Sequence, residues 1–276
     1  MPPVHGRLEL PARAASAVVM GVAAAVGLLV GVEWFALVVA VGAVAALREW
    51  HRLINDGQFA REAYFTGIAT IAAIWLAAFE GALGPALAAI ALGGAAAGLS
   101  AAIRGQPSWW LTVWHAAGAV YVGLPALSLV AMRGEPRGVA IIGGLFVAIW
   151  SADTAALLFG RVIGGPKLAP TLSPNKTWSG FLGGTLAASV AEAIYVALLG
   201  GIIFQAAIFG FLLALAGHCG DLFESWVKRR FHAKNTGRLI PGHGGMLDRI
   251  DSMLLAAPIC AVLVFLMNFN PLRPLP

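Results

Sequence analysis

Apolar and polar positions are sharply segregated along this chain. Apolar runs lie near residues 14–31, 34–47, 64–79, 83–99, 108–131, 138–160, 179–199, 202–218 and 252–269, with polar residues collected between them. A helix needs about 20 apolar residues to cross a bilayer, and most of these runs approach that length. The second is short, and the division between the seventh and eighth rests on the Gly-rich turn at Gly200–Ile202. The pattern predicts an all-α polytopic membrane helix bundle of about nine transmembrane helices. It also predicts two regions. Residues 1–135 are N-terminal helices for packing and lipid contact, and residues 136–276 form a C-terminal region with polar loops at 161–178 and 219–251.

Composition strengthens the membrane assignment. Hydrophobic residues make up 59% of the 276 and charged residues 11%, and the mean hydropathy is +0.83. Soluble domains hold roughly 45–50% apolar residues, so that class is excluded. Charge then sets orientation, because cytoplasmic loops retain Lys and Arg. With the N-terminus in the cytoplasm, only Arg133, Arg137 and Arg273 of the 18 Lys and Arg residues fall outside. Merging two runs would reverse everything downstream and spoil that bias. Topology thus explains the net charge of +5, and no nucleic-acid partner is implied. The first run follows Arg7 and Arg13, as a signal peptide would. No convincing cleavage site precedes Glu33 and a second run follows at once, so a retained first helix is expected. Cys219 and Cys260 have no metal-like spacing and suggest no disulfide framework.

Two polar islands interrupt the C-terminal half, at residues 151–180 and 217–252. Both fall on the cytoplasmic side in this topology, and a helix hairpin joins them. In the second island Asp221, Glu224, Ser225 and Lys228 follow an i, i+3, i+4, i+7 pattern. They share one face if the eighth helix continues past the membrane edge, and Arg229 lies one turn beyond Ser225. Residues 235–245 contain Gly237, Pro241, Gly242, Gly244 and Gly245 and read as loop. Glycines there let backbone N–H groups close on an anion. Asp248 and Asp251 sit three apart at the start of the ninth helix.

The first island places Asp153 within the cytoplasmic end of the sixth run, where an ionisable group is a functional candidate. Arg161, Lys167 and Lys176 follow, in a segment that Pro170 and Pro174 make stiff and non-helical. Elsewhere, Glu192 lies mid-run, either pairing within the bundle or lining a substrate path. His115 reads as a satisfied packing residue, and His218, one turn from Asp221, as a support for it. The Gly94/Gly98 and Gly180/Gly184 spacings are weak signals of close helix packing.

The inventory points to phosphate chemistry. Asp221, Asp248 and Asp251, with Glu224 near, offer hard oxygen ligands for Mg²⁺. Lys228, Arg229, Arg230, Lys234, Arg238 and Arg249 offer partners for phosphate groups. Carboxylates for a metal, interleaved with bases for phosphates, are what phosphoryl or nucleotidyl transfer requires. The plainer alternative is that basic residues at a cytoplasmic edge are expected anyway, with acids pairing to them and one Asp serving as a helix cap. Two acids at helical spacing, with a third upstream, ask for a metal instead.

The segment SWVKRRFHAKNTGRLIPGHGGMLDRID, Ser225 to Asp251, resembles the signature of the phosphatidate cytidylyltransferases, or CDP-diacylglycerol synthases. The resemblance is carried by Ser225, Lys228, Arg229, Lys234, Pro241, His243, Gly244, Gly245, Asp248, Arg249 and Asp251. DTAALLFGR and KLAPTLSPNKTWSG upstream are similar to the family's other polar segment. The N-terminal half matches only in hydropathy. Asn235 departs from the family pattern, which has Asp after Lys, so the metal assignment moves to Asp221 and Asp248. DTAALLFGR also lacks an aromatic in its middle.

The resemblance implies transfer of CMP from CTP to phosphatidate, giving CDP-diacylglycerol and pyrophosphate, with a lipid phosphate oxygen attacking the α-phosphorus. The nucleophile is already anionic, so no strong general base is needed. In this reading Asp221 and Asp248 hold Mg²⁺, as two ions, with Asp251 a third ligand or supporting it. Lys228, Arg229 and Lys234 hold phosphates, Lys167 and Lys176 assist, and Ser225, Arg249 and Asp153 belong to the substrate site. His243 bonds a phosphate or orders its loop. The expected setting is a bacterial inner membrane with the site on the cytoplasmic face, and homodimerisation is a family-level expectation. The rivals are a CTP-using lipid kinase, a cytidylyltransferase for another lipid phosphate, and an ion-coupled transporter built around Asp153 and Glu192. A transporter would concentrate ionisable groups near the midplane, whereas these cluster at one edge.

Overall fold

The computed structural model describes residues 19, 21–105, 108–237, 239–240 and 244–272. Helices dominate: α1 (Gly21–Val30), α2 (Val32–Ile54), α3 (Glu62–Phe79), α4 (Leu83–Ile103), α5 (Trp109–Arg133) and α6 (Gly138–Val162). A short antiparallel hairpin, β1 (Lys167–Ala169) and β2 (Ser173–Thr177), precedes α7 (Trp178–Leu198), α8 (Ile203–Arg230) and α9 (Leu247–Leu266). The protein is an all-α polytopic membrane bundle apart from that hairpin. Among the described residues seven helices, α3 to α9, are long and apolar enough to cross a bilayer. The apolar run of α2 is extended by Arg48, Glu49, His51 and Arg52 in its last two turns, which lowers its hydropathy without ending the helix.

Local signals explain several boundaries. Ser108 caps α5 by accepting the Trp110 N–H at 3.2 Å, and Thr177 caps α7 by accepting the Gly180 N–H at 3.1 Å. Within α5 the residues Ala119–Gly123 form a π-type turn just before Pro125. Proline brings no N–H to its i−4 carbonyl, and a widened turn accommodates the missing bond.

Two loop readings are corrected. The segment 161–178 is not simply loop, since Lys167 pairs with Thr177 and Ala169 with Ser173 in the hairpin. A two-stranded ladder has two open edges, which is where Pro174 is tolerated. The segment 219–251 begins as helix. α8 runs unbroken to Arg230, and α9 starts at Leu247, earlier than the apolar run suggested. Charged residues conceal such extensions from a hydropathy reading, yet they are good helix formers.

The chain forms two compact units. The first comprises residues 1–134 with 230–250, and the second residues 135–229 with 251–276. In the first, Ala73, Ala86, Ile90, Ala119 and Leu127 form a core cluster, and the Gly94/Gly98 pair lies against α5. A Cβ on Gly94 would stand 3.0 Å from the Ala116 carbonyl oxygen, and one on Gly98 3.3 Å from the Ala116 Cβ. In the second unit Gly180 and Gly184 serve the same purpose against α6, where added Cβ atoms would meet the carbonyl oxygens of Ala156 at 2.7 Å and Ala152 at 2.6 Å. Small residues thus set the helix spacing, as expected in lipid. Gly184→Ala should therefore destabilise the fold by about 1–3 kcal/mol, the usual cost of overpacking. Gly67→Ala, where a Cβ meets nothing within 4 Å, should be neutral or stabilising. Thermal unfolding of the two variants in detergent checks the contrast.

Candidate active site

In the second unit, chemistry gathers where α6, α8, α9 and β2 converge. Glycine makes the approach of α8 to α9 possible. A Cβ on Gly220 would stand 2.6 Å from the Asp251 carbonyl oxygen, and one on Gly217 2.7 Å from Ile149 Cδ1 of α6. Asp221 follows directly on α8 and lies within electrostatic reach of Asp251 and of Asp153 on α6. The uninterrupted α8 places Asp221, Glu224, Ser225 and Lys228 along one stripe, as their spacing required. Asp251 accepts the Ser252 N–H at 2.8 Å and also senses Lys228.

Two lysines enter this acid cluster. Lys176 Nζ pairs with Asp221, both side chains about a quarter exposed, and Lys228 pairs with the fully buried Glu224 one turn away. Alternation along β2 puts Lys176 on the face opposite Thr177, whose side chain is used in capping α7. His218, one turn before Asp221, senses both Asp221 and Lys176 and packs its ring on Phe181 with centroids 5.1 Å apart. Four carboxylates against two ammonium groups leave a surplus of negative charge, which suits a cation. Among the described residues no three His, Cys, Asp or Glu side chains stand close enough to cage a metal alone. Mg²⁺ does not need such a cage, because one or two carboxylates plus substrate phosphates and water complete its octahedron. Asp221 and Asp251 fit that role by donor chemistry and placement.

The first unit holds a second cluster, in the signature loop. Asp248, in the first turn of α9, accepts the backbone N–H groups of Thr236 at 3.0 Å and Gly245 at 3.2 Å through its Oδ2. Gly244 has a left-handed backbone (φ 89°) and closes a small bridge with Ile240. Beside the loop lies a cavity of about 690 Å³, lined among others by Arg52, His232, Lys234, Asn235 and Thr236. Arg52 Nε donates to the Gly57 carbonyl at 3.1 Å, which fixes the guanidinium on the cavity wall. His232 (φ 53°) and Asp56 (φ 49°) on the same wall both hold a left-handed backbone, a region that Asp and His enter more readily than most residues.

Most site residues expected from sequence fall into two groups. Asp153, Lys176, Asp221, Lys228 and Asp251 meet in the second unit, with Ser225 half-buried a turn beyond Asp221. Asp153 is exposed rather than sunk within its helix packing, and Arg229 and Lys167 are exposed too. Lys234, Asn235 and Asp248 belong to the first unit's loop cluster, with Arg249 exposed beside them. His243 and Arg238 lie outside the described residues. The expectation that His115 is a satisfied packing residue holds only in part. His115 Nδ1 meets His51 Nδ1 at 3.0 Å, while its Nε2 is buried with no hydrogen-bond partner among the described residues. Sequence reasoning missed Glu49 and Arg52. The available signal was an acid between two arginines in LREWHR, in an apolar run too short for its helix.

Comparison with known proteins is consistent with this chemistry. Residues 11–267 match the profile of the cytidylyltransferase family. A phosphatidate cytidylyltransferase of Brucella suis biovar 1 is 52% identical over 151 residues, which cover 53% of this chain and 55% of that protein. One from Rickettsia bellii is 36% identical over 169 residues, covering 56% of this chain and 73% of the relative. One from Staphylococcus saprophyticus is 38% identical over 149 residues, covering 52% and 55%. The chain thus spans about half the length of most of these curated relatives.

Proposed function

Because the chain belongs to the cytidylyltransferase family, we propose that it transfers CMP from CTP to phosphatidate, producing CDP-diacylglycerol and pyrophosphate. The observation that carries this reading is the acid–lysine cluster of Asp221, Lys176, Asp251 and Asp153. A phosphatidate oxygen bonds to the CTP α-phosphorus in line with the departing group, the α–β phosphoanhydride bond breaks, and pyrophosphate leaves. Two anions must be brought together, so the residues chiefly screen charge and orient phosphates. Mg²⁺ bound by Asp221 and Asp251 in the second unit would neutralise the triphosphate and the developing charge on the leaving group, and Asp248 in the loop cluster is proposed as a metal ligand in its own right.

Lys176 and Lys228 are poised to exchange their carboxylate partners for phosphate oxygens when substrate and metal arrive. Arg229 supplies a further phosphate contact in the second unit, with Ser225 and Lys167 assisting, and Lys234 and Arg249 supply theirs in the first, with His243 assisting. Exposed apolar surface on the helices keeps the acyl chains in lipid, and the positive-inside bias argues for a cytoplasmic site in a bacterial inner membrane. Homodimerisation stands as a proposal alongside.

Purified protein supplied with CTP, phosphatidate and Mg²⁺ should release pyrophosphate and CDP-diacylglycerol in equal amounts. Turnover should vanish on chelation and return on Mg²⁺ titration. Release of CDP in place of pyrophosphate would instead identify a lipid kinase.

A further inference from the structure

The signature loop is held from a distance. Glu49 in α2 is only 5% exposed. Its Oε2 accepts the Leu247 backbone N–H at 2.9 Å and the Thr236 hydroxyl at 3.3 Å. Leu247 is the first residue of α9, where a backbone N–H has no partner within the helix. Glu49 therefore caps α9 from another helix, where a neighbouring side chain would normally do so. A buried carboxylate is costly unless donors meet it; here Oε2 is satisfied by the loop, while Oε1 is buried with no hydrogen-bond partner among the described residues.

The glycines of the loop are cut to fit that carboxylate. A Cβ on Gly237 would lie 2.3 Å from Glu49 Oε1. One on Gly245 would lie 2.6 Å from Glu49 Oε2 and 2.2 Å from Thr236 Oγ1. Asp248 binds the Thr236 and Gly245 N–H groups as well. Thr236 is thus held by two carboxylates at once, its N–H by Asp248 and its hydroxyl by Glu49 from α2, while Gly245 is bonded by Asp248 and packs against Glu49. Thr236 and Gly237 in turn line the cavity that Arg52, Lys234 and Asn235 share.

We propose that Glu49 is a positioning residue, which fixes Thr236, Gly237 and the Gly245–Leu247 start of α9 and so shapes the cavity wall that presents Lys234 to a phosphate-bearing substrate. It touches no substrate and acts through the loop. The proposal rests on the reading that this loop takes part in binding CTP or phosphatidate.

The test uses the full chain in lipid nanodiscs. Four variants are compared with the parent: Glu49→Gln, Glu49→Ala, Gly237→Ala and the double variant Glu49→Ala/Gly237→Ala. Gln keeps one oxygen able to accept both hydrogen bonds, whereas Ala keeps none. Glu49→Ala should raise hydrogen exchange at Thr236, Gly237 and Gly245–Leu247 at least tenfold and raise the KM for CTP or phosphatidate about tenfold, with kcat within threefold. Glu49→Gln should stay within threefold of the parent in both. Gly237→Ala should be harmful alone and add little in the Glu49→Ala background, because the clash is with Glu49 itself. Unchanged exchange and KM in Glu49→Ala, or Glu49→Gln as damaging as Glu49→Ala, would overturn the proposal. If the parent protein makes no CDP-diacylglycerol, the proposed reaction fails, and the exchange comparison still decides the role of Glu49.

Discussion

Asp221→Asn is expected to lower turnover at least about a thousandfold, equivalent to roughly 4 kcal/mol of transition-state stabilisation, while leaving a folded, membrane-inserted protein. The substitution is nearly isosteric, and the Asp221 side chain is partly solvated beside Lys176, so the fold should tolerate the loss of one charge. What it removes is the anionic group that pairs with the Lys176 ammonium and interacts electrostatically with Asp251 and Asp153. A metal ligated by a carboxylate binds an amide far more weakly. If Asp221 holds the metal, part of the deficit should be recovered by raising Mg²⁺, and the apparent Mg²⁺ requirement should shift upward. Initial rates across a Mg²⁺ series, alongside thermal unfolding to verify folding, measure both effects. Activity above a tenth of the parent's, with an unshifted Mg²⁺ requirement, would remove Asp221 from the metal site.

The parts of this protein legible in its sequence are those governed by local rules. Segregation of apolar runs gave the membrane class, and the 3–4 spacing of Asp221, Glu224, Ser225 and Lys228 gave a helical stripe because α8 continues to Arg230. The Gly180/Gly184 spacing reported a close helix contact for the steric reason expected. What stayed hidden depends on long-range partners. The hairpin of Lys167–Thr177 is too short to show an alternation. Lys176 was visible only as a loop cation, and nothing local pairs it with Asp221. Glu49 was the larger omission: hydropathy treats an acid at the end of a short run as a boundary. Its meaning comes from Thr236 and Leu247, 187 and 198 positions away.

Asp248 offers the sharpest separation of roles, since two readings make opposite forecasts for one substitution. As a loop clamp, its Oδ2 accepts the N–H groups of Thr236 and Gly245. The carbonyl oxygen of Asn can accept both of these bonds, so a clamp survives Asp248→Asn with a loss of a few-fold, and only Asp248→Ala is crippling. As a metal ligand, Asp248 must carry charge, and Asn then fails nearly as badly as Ala. Because Asp248 stands in the first turn of a long apolar helix, either variant loses a charge–dipole interaction of about 0.3–1 kcal/mol and neither should lose the helix. We expect both Asn and Ala to reduce turnover a hundredfold or more, with Ala alone raising hydrogen exchange at Thr236 and Gly245. Metal binding would then be the function of the charge, and loop closure that of the shape. Near-parent turnover in Asp248→Asn, beside an inactive Asp248→Ala, would instead confine Asp248 to the loop and leave Asp221 and Asp251 as the metal's carboxylates.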